Sequence, residues 1–236
     1  FSNSIKFIGV SFEYESSKSL VLENINIEFP IRKSVALVGK SGSGKSTIVD
    51  LISLILKPTK GTIKIDGIDG KNIKTSTWRN QIGYVSQDTI IFDDTIANNI
   101  CMWEGDTKKN KNLLKRIKLA AKQAYISDFV DSLPDGYHTQ VGDRGIRLSG
   151  GQLQRLFIAR ELFRQPKILI LDEATSSLDS ESEEYIKKSV DELKGKVTVI
   201  MIAHRLSTIK DVDFLYVIEK GKIIEKGTYE DLSSSK

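Results

Sequence analysis

The chain reads as an α/β fold: a mainly parallel sheet with helices, an antiparallel β subdomain at the N-terminus and an α-helical subdomain inserted in the core. Three observations predict it. Short strands alternate with helical segments along most of the 236 residues, the pattern of an α/β layer fold. Four strands, at residues 35–38, 82–85, 168–171 and 197–202, are nearly continuous apolar runs, as expected where both faces of a strand are covered. The first of these runs straight into Gly39-Lys40-Ser41-Gly42-Ser43-Gly44-Lys45-Ser46-Thr47 and then into a helix marked by Ile48, Val49, Leu51, Ile52 and Ile55.

The remaining elements follow from local pattern. Residues 5–12 and 21–29 read as an antiparallel pair, and 214–218 with 222–226 as a hairpin turning at Gly221. From about residue 98 to 147 the strand signal gives way to helical periodicity, so a helical subdomain, roughly 98–165, is expected inside the core. Only residues 233–236 look like a disordered tail.

Composition narrows the function. There are 35 Lys and Arg against 31 Asp and Glu, a net charge of +4 spread along the chain, which argues against a nucleic-acid or membrane-surface role by charge alone. The densest basic stretch, from Lys108 to Lys122, alternates with Leu113, Leu114, Ile117, Leu119 and Ala121 at helical spacing and reads as a solvated helix face. The single cysteine, Cys101, excludes an internal disulfide and fits a reducing compartment. No apolar run approaches the length of a membrane span, and the N-terminus has no signal-peptide pattern, so the chain itself is not expected to cross a membrane.

The Gly-rich turn is a phosphate-binding loop of the P-loop NTPase kind. Its glycines permit positive φ and close approach of phosphate oxygens to backbone N–H groups at a helix N-terminus. That terminus carries only about half an elementary charge, so a nucleoside triphosphate also needs Lys45 on its outer phosphates and a metal ion held by the Ser46 hydroxyl.

Further polar residues fall at strand ends. In open parallel sheets ligands bind beyond the carboxyl ends of the strands, so Asp172 and Glu173 should lie on the edge that carries the phosphate loop. Asp172 suits the coordination shell of Mg2+, and Glu173 is placed to orient or deprotonate water. Polar strand-end residues meeting a helix would explain either acid alone. His204 ends another apolar strand on the same edge, where it is either structural or faces the ligand. Gln87 ends a further strand, with an amide able to touch the metal or the attacking water. Tyr14 ends the run Val10, Phe12, Tyr14, for which core packing and stacking on an adenine fit equally. His138 reads as surface.

Leu148-Ser149-Gly150-Gly151-Gln152, taken with the phosphate loop, Gln87, Asp172-Glu173, Ser177-Leu178-Asp179 and His204 in this order, resembles the nucleotide-binding domain of ABC transporters over nearly the whole chain, 1–236. The resemblance implies an ATP- and Mg2+-dependent ATPase. In it, residues 39–47 hold the phosphates, Tyr14 stacks on adenine, and Ser46, Gln87 and Asp172 serve the metal. Glu173 acts as general base, with Lys45 and His204 acting on the phosphates. Ser149, Gly150, Gly151 and Gln152 open a helix towards the ATP of a second copy, and Asp179 reaches across to the partner site. Two domains would thus pack head to tail around two ATP molecules.

Residues 139–145, 92–100 and 225–232 are similar to exporter segments, the first of them to the part that touches the membrane domains. Asp143 stands where exporters usually carry glutamate, and Leu153 replaces a usual basic residue. The resemblance therefore implies the ATPase of an exporter at the cytoplasmic face of the cell membrane, with transmembrane domains expected to precede Phe1. A free-standing importer subunit is the alternative.

Overall fold

The computed structural model describes residues 1–15, 19–86, 90–143, 145–172, 179–203 and 209–234. It divides into two compact units, Phe1–Tyr84 with Lys167–Glu173 and Lys194–Lys236, and Val85–Pro166 with Ala174–Leu193.

The first unit holds two sheets. Strands β1 (Ser4–Glu13) and β2 (Leu20–Pro30) pair antiparallel as expected. They continue into β4 (Lys60–Ile65) and β5 (Ile68–Asp69), giving the order β2-β1-β4-β5. Asp66 and Gly67 both take positive φ between β4 and β5, the backbone of a two-residue type I′ hairpin. Gly9, also at positive φ, lies at a break in the β1 register, and its carbonyl sits so close to Gly61 that a Cβ there would come within 2.3 Å.

The second sheet has the order β12-β11-β3-β10-β9-β6. Its members are β3 (Ser34–Val38), β6 (Ile82–Val85), β9 (Ile168–Asp172), β10 (Thr198–Ala203), β11 (Phe214–Glu219) and β12 (Lys222–Gly227). Strands β11, β3, β10 and β9 are mutually parallel, and all six residues of β10 are buried. The β11–β12 hairpin turns through Lys220 and Gly221, both at positive φ. Leu37, Ile48, Leu51, Ile52, Ile170 and Ile200 are fully buried and form the centre of the core.

Helix α1 (Lys45–Ile52) follows β3, and its end departs from expectation. Ile55 is not on the helix and is 60% exposed, because Leu54 turns the chain at positive φ. The reason lies in α2 (Thr75–Arg79), whose side chains take the last carbonyls of α1. The Trp78 indole N–H donates to Ile52 O at 2.8 Å and Arg79 donates to the carbonyls of Ser53 and Leu54 at 3.1 and 2.7 Å. Those partners close a helix end that would otherwise be left with unsatisfied acceptors.

The second unit is helical: α3 (Ile96–Cys101), α4 (Lys111–Gln123), α5 (Ser127–Asp131), α6 (Gly150–Phe163) and α7 (Ser180–Leu193). It also contains a two-stranded pair that periodicity did not suggest, β7 (Asp94–Thr95) with β8 (Gln140–Val141). The lysines of α4 are exposed while Leu113, Ile117, Ala120 and Ala121 are buried, as the spacing required. Arg160 on α6 is buried and donates to the carbonyls of Asn99 and Ile90 and to the Asn99 side chain at 2.7–3.0 Å. This network binds the segment around β7 to α6. His138 is half-buried rather than on the surface, with its Nδ1 shielded from solvent and without a partner among the described residues.

The tail expected to be disordered is helical as far as Ser234, in α8 (Tyr229–Ser234). Among the described residues no helix is long and apolar enough to cross a membrane.

Candidate nucleotide site

In the first unit, β3 ends at Val38 and residues 39–44 turn into α1. Gly39 sits against the Ile218 carbonyl, which a Cβ would approach to 2.2 Å, so only glycine fits. Gly42 and Gly44 take φ of 76° and 104°, and Gly44, at the N-cap of α1, has no side chain to satisfy the first-turn N–H groups. The first turn contains no acidic residue. An anion is therefore the natural partner of this terminus.

Lys45 is 5% exposed and folds back over the loop, its ammonium donating to Gly39 O at 2.8 Å and Lys40 O at 2.9 Å. The Ser43 hydroxyl is buried without a partner among the described residues, a polar atom suited to a phosphate oxygen. Lys40, Ser41 and Ser46 are exposed, while Thr47 is buried with its hydroxyl 3.3 Å from the Tyr14 hydroxyl. Tyr14 settles between packing and exposure: its ring meets Phe12 edge-on at 4.8 Å, yet 39% of the residue remains open beside the loop.

Strand register places the acid. Ala203 pairs with Val38, and Ile202 with Asp172, so Asp172 lies at the same carboxyl edge as the start of the phosphate loop. Its Oδ2 accepts a hydrogen bond from the Tyr84 hydroxyl at 2.7 Å. Burial, this bond and the charges of Asp172 and Asp50 push the Tyr84 phenol well above its ordinary range. Among the described residues no three His, Cys, Asp or Glu side chains gather to hold a metal by themselves. A lone hydroxyl, Ser46, and a carboxylate, Asp172, are hard oxygen donors that suit Mg2+, which keeps several waters and relies on phosphates for the rest of its shell.

Asp50 was not singled out in the sequence, although it follows Ser46 by four residues and so shares its face of α1. Burial and the charge of Asp172 raise its carboxyl above the ordinary value of 3.8. The folded chain thus holds the Asp50 proton more tightly than the unfolded one, so stability from this group falls as pH rises from 3.8 through the folded value. Asp50→Asn is expected to raise the Tm of the metal-free chain at pH 7 by about 1–3 °C. In thermal melts across pH, that gain should vanish below the ordinary carboxylate value.

The signature lies in the second unit. Ser149 caps α6 reciprocally: its Oγ accepts from Gln152 N at 3.2 Å while its own N–H donates to Gln152 Oε1 at 2.9 Å. Gly150 is exposed at the head of the helix. At Gly151 a Cβ would fall 1.8 Å from the Ser182 hydroxyl, so α6 and α7 can start side by side only with glycine there. The Asp179 carboxylate accepts from Ser182 N at 2.7 Å and Ser182 Oγ at 3.2 Å, and the Ser182 amide holds it below the usual carboxylate range. Asp179 thereby anchors the first turn of α7.

Gln87, Glu173 and His204, together with Ser177, Leu178 and Arg144, lie outside the described residues. Residues 139–145 are in part placed: β8 pairs with β7, so this segment and residues 92–100 form one surface within the second unit. Trp103, 47% exposed, lies against it, edge-on to Phe92 at 5.0 Å with its indole N–H on Asp94 at 2.7 Å, and Ile90, two positions before Phe92, is 69% exposed.

The ABC transporter family description matches residues 22–176. The chain is 44% identical over 228 residues to an ATP-dependent lipid A-core flippase of Coxiella burnetii, covering 97% of this chain and 38% of that protein. It is 46% identical over 228 residues to a putative multidrug export ATP-binding/permease protein of Bacillus subtilis, again covering 97% and 38%. Among solved structures, a bacterial Atm1-family ABC exporter with ATP bound superposes with a TM-score of 0.86 at 40% identity, covering 99% of this chain and 40% of that one. The chain therefore spans about two fifths of the length of these relatives. By its motifs, its fold and these matches, the chain belongs to the ABC transporter family, as an ATPase domain of the exporter type.

Proposed function

We propose that this chain binds and hydrolyses Mg-ATP between two copies of itself and thereby drives export or flipping of a substrate by transmembrane domains of the same protein. The observation that carries this reading is the uncapped, acid-free N-terminus of α1 behind Gly44, with Lys45 folded into its loop and Asp172 at the same sheet edge. Residues 39–47 bind the triphosphate, Tyr14 takes the base, and Ser46, Gln87 and Asp172 hold the Mg2+ shell. When bound, Mg2+ neutralises charge on the outer phosphates. Glu173 accepts the proton of the attacking water, and His204 faces the γ-phosphate. Ser149 to Gln152 of one copy and Asp179 meet the ATP of the other. Relatives named as a flippase and an export permease favour the exporter over the importer.

ATP binding closes the pair because the triphosphate bridges two surfaces, and loss of the γ-phosphate removes the bridge. Phosphate release that requires both ATP and Mg2+ is the direct test. Its absence under conditions where the protein is folded refutes the reading.

The exposed apolar side chains Ile90 and Trp103, beside Phe92, are the surface we assign to the transmembrane domains, which sets the chain at the cytoplasmic face of the membrane. Trp103→Glu should leave ATP affinity within about twofold and lower turnover of the membrane-embedded protein by about tenfold or more, as expected for an exposed aromatic that a partner covers as an interface anchor. Calorimetry on the ATP side and phosphate release in vesicles measure the two effects.

A further inference from the structure

We propose that Tyr84 is a positioning residue for the carboxylate of Asp172: its hydroxyl, donating to Oδ2 at 2.7 Å, holds the side chain in one rotamer and leaves Oδ1 as the oxygen offered to the metal shell. This rests on the reading of Asp172 as a metal-side residue.

The geometry is built by the sheet. Strands β9 and β6 are neighbours, and Asp172 is the last residue of β9. In β6 the residues Ile82, Gly83 and Val85 are buried, whereas Tyr84 is 39% exposed. A phenol is long enough to span one strand spacing of about 4.8 Å and reach a strand-end carboxylate. The strand ladder fixes the backbone of Asp172 but not its two side-chain torsions, and among the described residues the Tyr84 hydroxyl is the hydrogen-bond partner of its carboxylate.

Charge supplies the second reason for a donor here. Asp50 shares with Ser46 the face of α1; the charge of Asp172 helps raise its carboxyl, and the charge of Asp50 in turn acts on Tyr84. Two carboxylates left to themselves turn apart. A hydroxyl donated to Oδ2 opposes that movement and keeps Asp172 facing the phosphate edge. Such outer-shell partners commonly change metal affinity by about 10- to 100-fold when removed. A partly exposed phenol should fall at or below the lower end of that range.

The test is calorimetry of ADP binding, in EDTA and in Mg2+, with Tyr84→Phe, Asp172→Asn and the parent protein. ADP avoids turnover and keeps the β-phosphate, one of the phosphates that Mg2+ would contact. The expected result for Tyr84→Phe is an unchanged Kd in EDTA and a Kd in Mg2+ weaker by about 3- to 10-fold, with an unchanged melting temperature in EDTA. A structural defect would instead weaken binding in both buffers and lower the melt, and that outcome overturns the proposal. If Asp172→Asn weakens Mg-ADP binding and Tyr84→Phe does not, the positioning role fails while the metal reading survives. If neither variant changes the Mg2+ dependence, the metal reading of Asp172 fails first and the role of Tyr84 falls with it.

Discussion

Lys45→Ala weakens ATP binding by about 100-fold in calorimetry with Mg2+ present, the combined value of two charge-assisted hydrogen bonds at about 1.5 kcal/mol each. The ammonium is already inside the loop, held by the carbonyls of Gly39 and Lys40, so an arriving phosphate meets a cation whose side-chain entropy is largely spent. Alanine removes the charge and both internal bonds, while Gly39 and Gly44 keep the backbone path. Binding within a few-fold of the parent would show that the amides of α1 alone hold the phosphates. That result would contradict the role given to this side chain.

Glu173→Gln retains ATP binding and lowers turnover by about 10²- to 10⁴-fold, the usual contribution of a general base. Glutamine keeps the shape and hydrogen-bonding reach of the side chain but cannot take a proton. Glu173 directly follows Asp172, which the strand register sets at the phosphate edge, and that sequence position is the ground for proposing it as the base. The variant should also accumulate as an ATP-bound pair, since the step that reopens it is blocked. Turnover close to that of the parent would remove Glu173 from the chemistry and leave the proton acceptor unassigned.

Sequence made the chemistry more legible than the architecture around it. The phosphate loop, the strand-end acid and the signature each occupy a contiguous stretch, and the apolar runs of β3, β9 and β10 were long enough to be recognised and aligned at one edge. Strands β7 and β8 are two residues each, a single period of alternation, and therefore carry no pattern of their own. The β4–β5 hairpin did have a signal, Asp66-Gly67 between Ile65 and Ile68, the preferred pair for a type I′ turn.

Ile55 fits the helical spacing, yet α1 is ended from outside by Trp78, 26 positions from the carbonyl it takes, and by Arg79, 26 and 25 positions from its two. Tyr84 and Asp172 are separated by 88 positions, so their hydrogen bond exists only once β6 and β9 lie side by side. Asp50 was readable from its spacing to Ser46, but its raised carboxyl depends on the same tertiary neighbour.

The head-to-tail pairing is the central claim, and sedimentation of the Glu173→Gln variant with and without ATP tests it most directly. The expected result is a monomer without nucleotide that converts, with ATP, to a species of twice the mass holding two ATP molecules, and that fails to form when Ser149→Arg is added. A species that stays monomeric at high protein and ATP concentration while ATP remains bound would contradict it.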